Sequence, residues 1–188
     1  MTLQISDKLK YNSKTYELLQ EDGEAYLFNP LKYGFDIYDK SSDCWKGHIS
    51  TYSIKNNYLV LDRLEINSNK KINLNNIKPN KGILIYFISK LKIWKMIGFD
   101  YIYKNINLKI NYTGKILIGF DEIKCDFDDN YYDENYVLSP HSFKEVIKLE
   151  FVKGRVVNVT DISKDMIKLR KSLENKYKSK DEDFIPYF

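Results

Sequence analysis

The stretch SSDCWKGHISTYSIKNNYLVLDRL, residues 41–64, is the most recognisable part of this sequence and predicts β structure. It opens with the sequence CWKG at residues 44–47, and the residues that follow alternate between two faces, as in a strand. One of these faces would carry His48, Ser50, Tyr52 and Ile54. Residues 55–57 (KNN) have the composition of a turn, and the strand-forming run YLVL follows at residues 58–61. The stretch therefore predicts a β-hairpin that the chain enters through a corner at residues 44–47.

Two later stretches share a plan of strand, glycine turn and strand. In the first, residues 106–110 alternate in polarity, residues 111–114 (NYTG) have turn composition, and residues 115–118 return. The second covers residues 149–157, with its turn at Gly154. Each stretch predicts a hairpin.

A helix is predicted after Val159. Asp161 has a side chain typical of an N-cap residue. The apolar residues beyond it recur at helical spacing and form one stripe, which consists of Ile162, Met166, Leu169, Leu173 and Tyr177.

Residues 81–97, KGILIYFISKLKIWKMI, fit two structures. Part of the segment follows helical spacing, whereas its end alternates as a strand does. The length favours a helix, and the β-branched and aromatic content favours strands. Periodicity alone leaves both structures open.

The composition indicates a folded, mainly β protein. The chain has 188 residues, of which 43% are hydrophobic, and it includes 16 Tyr and 10 Phe, which is enough for a core. We expect a curved antiparallel sheet or a small β-sandwich with a C-terminal helix. Residues 1–118 would form the β domain, and residues 119–188 a C-terminal extension with a hairpin and a helix, packed on the same core.

The net charge and the N-terminal sequence indicate which partners and which cellular compartment to expect. The formal charge is +4, from 30 basic and 26 acidic residues, which is an ordinary surface and makes nucleic acid a poor candidate partner. The N-terminal stretch MTLQISDKLKY lacks an apolar signal-peptide core, and no window is apolar enough to span a membrane. We expect a cytoplasmic protein with Cys44 and Cys125 reduced.

Three motifs carry a resemblance to other proteins. Residues 44–54 match C-W-[RK]-G-[YH]-[IV]-x-T-[WY]-x-I, and the turn and strand that follow are similar to L-x-L-x-D, with Asp62 one position early. Residues 86–93 are similar to W-F-S-G-x-L-R-I at equal spacing, with Ser89 where the glycine is usual. Residues 98–116 resemble G-[YF]-x-S-[VI]-Y followed by a strand, a glycine and a strand. The motifs resemble those of a family of uncharacterised small bacterial proteins. The resemblance implies a mostly β domain and a strand within residues 81–93, but no activity, and this chain lacks the His-Met pair that usually follows the second motif.

Cys44 and His48 are the residues closest in type to a catalytic pair. In an extended strand they would lie about 13 Å apart, whereas a nucleophile and its base need about 3 Å. Only a bend at Gly47 would bring them together. A buried Cys44 beside an aromatic residue is the favoured interpretation, so no catalytic residue is predicted.

Several other side chains of the hairpin and its surroundings are candidates for a ligand or interface. Trp45, Tyr52 and Trp94 could form an aromatic platform, although a core position is favoured for Trp45. Lys46 could bind an anion or a carboxylate, or form a surface salt bridge of little energetic value. Lysines and aromatic residues around Trp94 could also line a face for single-stranded nucleic acid.

An acidic and aromatic segment occupies residues 121–136. Asp126, Asp128 and Asn130 match the start of a calcium loop, but Tyr131 stands at the position of the glycine and Val137 at that of the last glutamate. No metal or other cofactor is therefore predicted. The segment, including Tyr131 and Tyr132, is instead a candidate contact surface for a protein.

The sequence supports three functional hypotheses. The first is a non-enzymatic bacterial protein of accessory or immunity type that binds another protein. The second is a module that binds a small ligand or single-stranded nucleic acid. The third, which the spacing of Cys44 and His48 disfavours, is a cysteine-dependent enzyme.

Overall fold

A computed structural model describes residues 4–23, 27–82, 86–89, 92–95, 98–123 and 139–182. The strands are β1 Lys8–Tyr11, β2 Lys14–Gly23, β3 His48–Lys55, β4 Tyr58–Ile66, β5 Asn80–Lys81, β6 Tyr86–Ser89, β7 Lys92–Lys95, β8 Tyr101–Lys109, β9 Gly114–Glu122, β10 Phe143–Val152 and β11 Arg155–Asp161. The helix α1 is Ser163–Glu182, and two short 3-10 helices are Pro30–Tyr33 and Pro140–Ser142. The predicted mainly β fold with a C-terminal helix is confirmed.

One large sheet has the strand order β11-β10-β9-β2-β1-β3-β4-β8-β5. The sheet curls until Arg155 of β11 pairs with Tyr58 of β4, so that it meets itself at one end. β1 and β3 run parallel, with Lys8 opposite Thr51, which makes this otherwise antiparallel sheet mixed. This parallel pair places the residues just before β1 beside the start of β3.

The β3–β4 hairpin is confirmed, and its turn explains why it was predictable. Asn56 and Asn57 have positive φ angles of 49° and 66°, the conformation that a two-residue hairpin turn requires and that Asn tolerates. The register shifts between Thr51 and Tyr52. The extra residue of this bulge is Asp62 of β4, since Thr51 lies opposite Arg63 and Tyr52 opposite Leu61. The predicted alternation along β3 does not separate buried from exposed residues, because Thr51, Tyr52 and Ser53 are all buried.

The strands predicted around residues 106–118 exist as β8 and β9, but their pairing as a hairpin is wrong. β8 pairs with β4 and β5, and β9 pairs with β2 and β10. The intervening Ile110 and Tyr112 are buried in the core, and the Tyr112 carbonyl accepts a hydrogen bond from Gly154 N at 2.7 Å. The tip of another hairpin thus takes the position where β8 and β9 would have met.

That other hairpin, β10–β11, confirms the prediction for residues 149–157. Its turn residues Lys153 and Gly154 have φ angles of 50° and 78°. α1 follows, and the Asp161 carboxylate accepts hydrogen bonds from both the amide and the hydroxyl of Ser163. The predicted helix start is therefore confirmed.

α1 covers part of the outer face of the sheet. Ile162 and Met166 pack against a small cluster of Leu19, Phe143 and Val146. Leu169, predicted to belong to the same stripe, is 42% exposed. Arg170 faces the sheet instead, where its Nη1 donates to the carbonyl oxygens of His141 and Phe143 at 2.7 and 2.8 Å.

The helix-or-strand alternatives for residues 81–97 resolve in favour of strands where the chain is described. β6 and β7 pair antiparallel, with Ile88 opposite Ile93, and form a separate two-stranded sheet. Over the described part of the chain, no helix combines the length and apolarity needed to cross a membrane.

The main core lies inside the curled sheet. Its largest fully buried side chains are aromatic, and three of them are tyrosines: Tyr16, Tyr52 and Tyr103. The interior therefore contains phenol groups that need partners, such as the Tyr103 hydroxyl, which donates to the Ile72 carbonyl at 2.6 Å.

Candidate functional site

A cavity of about 530 Å³ lies beside the 44–47 corner. This volume is within the range of small-molecule sites in proteins, roughly 300–1,000 Å³. Its wall combines carboxylate, basic, aromatic and aliphatic side chains: Asp7, Glu21, Leu27, Phe28, Asn29, Pro30, Leu31, Ile37, Tyr38, Asp39, Trp45, Lys46, His48 and Tyr52. Four of the residues selected from the sequence, namely Trp45, Lys46, His48 and Tyr52, meet here. We call this cavity the corner pocket.

The 44–47 corner consists of two consecutive tight turns. Cys44 N donates to Ser41 O at 3.1 Å, and Gly47 N donates to Cys44 O at 3.0 Å. Gly47 has a φ of +68°, and a Cβ atom there would lie 2.5 Å from the carbonyl oxygen of Tyr38. The bend that the sequence allowed at Gly47 is therefore real, and it sets Trp45 and Lys46 at the mouth of the corner pocket.

An ion pair ties the corner to the start of β1. Lys46 Nζ lies 2.7 Å from Asp7 Oδ1, and the same oxygen accepts a hydrogen bond from Ser50 N at 2.7 Å. The Asp7 side chain is 14% exposed and that of Lys46 is 39% exposed. Lys46 therefore has the carboxylate partner that the sequence suggested. Its positive charge in the pocket wall is balanced by the negative charge of Asp7.

His48 is a neutral, buried side chain in the pocket wall. Burial lowers its pKa, and its Nδ1 lies 2.9 Å from the carbonyl oxygen of Lys46. Because a carbonyl only accepts, Nδ1 carries the proton and Nε2 is left as an acceptor. The edge of this ring faces Phe28, with the ring centroids 6.4 Å apart.

Trp45 and Tyr52 occupy opposite environments. Tyr52 is 1% exposed and forms the floor of the pocket, and its burial raises the pKa of its phenol. Trp45 is 50% exposed, so the core position favoured from its residue type is wrong. The corner turns the indole outward, since the backbone of residues 44–47 is occupied with tight turns instead of a strand.

The aromatic wall at Tyr38 is anchored from behind. The Tyr38 hydroxyl donates to Asp100 at 2.7 Å, and this carboxylate also accepts from Lys40 and from Ser68 N. These donors lower the pKa of Asp100 against the effect of its burial. Tyr38 is therefore fixed in place by groups that lie outside the pocket.

Cys44 has the environment of a structural thiol. It is 4% exposed, its Sγ donates to the His48 carbonyl at 3.4 Å, and burial raises its pKa. The bend thus brings Cys44 to the backbone of His48, while the imidazole is engaged with Lys46. A buried thiol with a raised pKa is a poor nucleophile.

We predict that Cys44 resists alkylation in the folded protein. Iodoacetamide at neutral pH should modify the peptide that contains Cys44 at least about tenfold more slowly in buffer than in urea, because the thiol is buried and protonated. Mass spectrometry of tryptic peptides separates this site from Cys125. Equal rates in the two solvents would contradict the structure of the corner.

His48 makes stability depend on pH in a defined direction. Its pKa is lower in the folded protein than the ordinary value of about 6.5, so the unfolded chain binds the proton first as pH falls. Stability should therefore be lost as pH drops through 6.5 toward the folded pKa. Glu21, whose pKa is raised by desolvation, contributes in the opposite direction at lower pH.

Comparison of two proteins isolates the His48 contribution. Between pH 7.5 and 5.5, the melting temperature of the wild type should fall more than that of His48→Gln, in which the buried group no longer titrates. Differential scanning calorimetry measures both slopes. Parallel slopes would show that His48 titrates alike in the folded and unfolded states.

The side chains of the other candidates from the sequence lie outside the described residues. Trp94 belongs to β7, whose side chains lie outside the described residues. Asp126, Asp128, Tyr131 and Tyr132 also lie outside them. Their role in an interface stays a prediction. Among the residues that are described, no group of three His, Cys, Asp or Glu side chains has the arrangement of a metal site.

Sequence reasoning missed the acidic side of the pocket. Asp7, Glu21 and Asp39 come from three separate segments and form no motif. Glu21 is exposed as a residue, yet desolvation raises the pKa of its carboxyl group, and its Oε2 accepts from Leu27 N at 3.2 Å. For another part of the wall the sequence does contain a local signal, the dipeptide Asn29-Pro30. The Asn29 side chain caps a 3-10 helix that begins at Pro30 and forms part of the pocket wall.

Comparisons with family models, with curated proteins and with solved structures find no match to this chain. The resemblance to small bacterial proteins, based on the motifs around residues 41–64, 86–93 and 98–116, therefore stays a prediction. The assignment of function depends on the geometry of the described residues.

Proposed function

We propose that this chain is a non-enzymatic binding protein, and that the corner pocket is its site for a small ligand. The observation that carries the proposal is the convergence of Trp45, Lys46, His48 and Tyr52 on one cavity of about 530 Å³. Pockets that bind small molecules combine apolar walls with a few placed polar groups. Here the polar groups include Asp7 just before β1, Glu21 of β2, Lys46 of the 44–47 corner and His48 of β3.

The pocket is held open by contacts that do not depend on a ligand. Gln4 accepts a hydrogen bond from Trp45 N at 2.9 Å, and Ile5 N donates to Asp43 O at 2.8 Å, so the N-terminal segment braces the corner. Asn67 N donates to Gly47 O at 2.9 Å from the other side. A pocket with fixed walls loses little conformational entropy when it binds.

The environment of Cys44 weighs against cysteine-dependent chemistry. The thiol is buried, its pKa is raised, and its nearest polar contact is a backbone carbonyl. The same free thiol suits a reducing compartment, and a bacterial cytoplasmic location is part of the proposal.

The test of the pocket is a fragment screen read by thermal shift. Compounds that raise the melting temperature of the wild type should lose that effect in Trp45→Ala, because the half-exposed indole lies at the mouth of the pocket. Val152→Ala is a matched control, since Val152 is 48% exposed and does not line the pocket. Hits that survive Trp45→Ala unchanged, or a screen without hits, would contradict the proposal.

A second candidate function, binding of a partner protein in an accessory or immunity-type role, rests on β11. Beyond the pair Arg155–Tyr58, the described chain pairs β11 only with β10, so residues 157–161 form an outer edge. Val157 and Val159 on this edge are 57% and 43% exposed. An open strand edge with exposed valines is a surface on which another strand can add.

This candidate has its own test. Val159→Lys places a charge on the edge without touching the corner pocket. Pull-down from a bacterial lysate with the wild type should recover a partner that Val159→Lys does not recover. Recovery of the same proteins by both would count against β11 as an interface.

A further inference from the structure

The corner pocket carries an excess of negative charge. Among the residues that the structure describes, its wall contains the carboxylates of Asp7, Glu21 and Asp39 and one ammonium group, that of Lys46. That ammonium group lies 2.7 Å from Asp7 Oδ1, so it and Asp7 neutralise each other. His48 adds no positive charge because burial keeps it neutral. Two carboxylates, those of Glu21 and Asp39, are left to face the cavity.

The same wall holds hydrogen-bond acceptors that lack a donor among the described residues. The Tyr38 hydroxyl donates a hydrogen bond to Asp100, and His48 Nδ1 donates one to the Lys46 carbonyl oxygen. His48 is only 8% exposed, and its Nε2 has no donor among the residues that the structure describes. Asp39 likewise has no ion-pair partner within the described chain. A ligand that completes this wall has to bring donors.

Aromatic rings supply the remaining surface. Phe28, Tyr38, Trp45 and Tyr52 line the cavity, and Trp45 stands at its mouth. The face of an aromatic ring carries negative potential and attracts ammonium and guanidinium groups, with Trp the most effective of the three residue types. Carboxylates, a buried acceptor and aromatic faces therefore all favour the same kind of ligand.

We infer that the ligand of the corner pocket presents an organic cation, an alkylammonium or guanidinium group, to Glu21, Asp39, His48 and Trp45. The inference rests on the proposed function of the pocket and names its ligand class. It disfavours single-stranded nucleic acid and other phosphate ligands, because Lys46, the one ammonium group in the described part of the wall, is already paired with Asp7.

The experiment is isothermal titration calorimetry of the full chain with matched probes. Choline and agmatine are the cations, 3,3-dimethyl-1-butanol is the neutral isostere of choline, and adenosine monophosphate is the anion. At least one cation should bind about tenfold or more tightly than the neutral isostere, and raising sodium chloride from about 50 to 500 mM should weaken it several-fold. The anion should not compete.

The affinities of carboxylate variants test whether the cation binds in the corner pocket. Glu21→Gln and Asp39→Asn should each weaken the cation about fivefold or more, because each removes one carboxylate that faces the cavity. Asp165→Asn is the matched control: this carboxylate lies on α1, its side chain is 66% exposed, and it is outside the pocket. It should leave the affinity unchanged.

One further probe distinguishes the source of the cation. The peptide acetyl-Ala-Arg-Ala-amide presents the same guanidinium group as agmatine on a polypeptide backbone. Binding of agmatine supports a free metabolite, and binding of the peptide alone supports a basic side chain of a partner protein. Either result supports the cation.

The contradicting outcomes are separable. If the neutral isostere or the nucleotide binds as well as the cations and is lost in Trp45→Ala, the pocket is a ligand site but the cation inference is overturned. If the cations bind with an affinity that Glu21→Gln and Asp39→Asn leave unchanged, the inference is also overturned. If no probe binds and the fragment screen has no hits, both the cation inference and the proposed ligand-binding function are overturned.

Discussion

Replacement of Gly154 by alanine is expected to lower the free energy of unfolding by at least about 3 kcal/mol. Gly154 has a φ of +78°, and a Cβ atom there would lie 2.1 Å from the carbonyl oxygen of Ile110. The left-handed conformation alone costs an L-residue roughly 1–2 kcal/mol. The clash adds to this cost because the Cβ atom is fixed by its bond to Cα and the Ile110 oxygen belongs to the backbone, so neither can rotate away.

The position of Gly154 explains why the chain cannot relax around the new side chain. Its amide donates to Tyr112 O at 2.7 Å, and its carbonyl accepts from Leu59 N at 2.8 Å. These bonds fix the tip of the β10–β11 hairpin against β4, where the large sheet meets itself. A shift that relieved the clash would break that closure.

Urea unfolding followed by circular dichroism measures the effect. Gly34→Ala is the control: Gly34 also has a positive φ, +84°, but a Cβ atom there would meet only the Ile72 side chain at 3.6 Å. It should cost about 1–2 kcal/mol, the conformational part alone. Equal losses in the two variants would show that the contact between Gly154 and Ile110 does not limit stability.

Gly47→Ala is expected to have the second largest effect, and to act on stability and on the corner pocket together. The φ of +68° and the 2.5 Å approach to Tyr38 O predict a loss of about 2–4 kcal/mol. Either the corner or the Tyr38 segment has to move, and both line the pocket. Stabilisation by fragment hits should therefore be lost as well.

Alkylation of Cys44 gives an independent measure of the same change. In Gly47→Ala the corner should open, and the Cys44 peptide should react with iodoacetamide faster than in the wild type. Gly34→Ala should leave the Cys44 rate unchanged, although it too loses stability. If Gly47→Ala is as mild as Gly34→Ala and keeps Cys44 protected, the close approach of Gly47 to Tyr38 O does not hold the corner rigid.

Local sequence was sufficient where the turn itself determines the pairing. Asn56 and Asn57 adopt the positive φ angles of a tight hairpin, so β3 and β4 could be predicted from the residues between them. The same pattern of turn composition and glycine misled for β8 and β9. There the pairing partner of each strand is distant in sequence, and no local residue specifies it.

The residues of the corner pocket also fall into two groups, those that the local sequence could identify and those that only the strand pairing brings in. Trp45, Lys46 and His48 are close in sequence and could be singled out together. Asp7 reaches them only because β1 pairs with β3 in parallel, an arrangement that joins residues about 40 positions apart and leaves no periodic trace in the sequence. The outward orientation of Trp45 depends on the tight turns around it, so residue type alone predicted the wrong environment.

Nuclear magnetic resonance of the ¹⁵N-labelled full chain, titrated with a ligand found in the screens, shows whether the corner pocket is the binding site. We expect saturable shifts centred on the amides of Asp7, Trp45, Lys46 and His48, and their loss in Trp45→Ala. Shifts centred on Val157 and Val159 of β11, with the corner unchanged, would contradict this assignment.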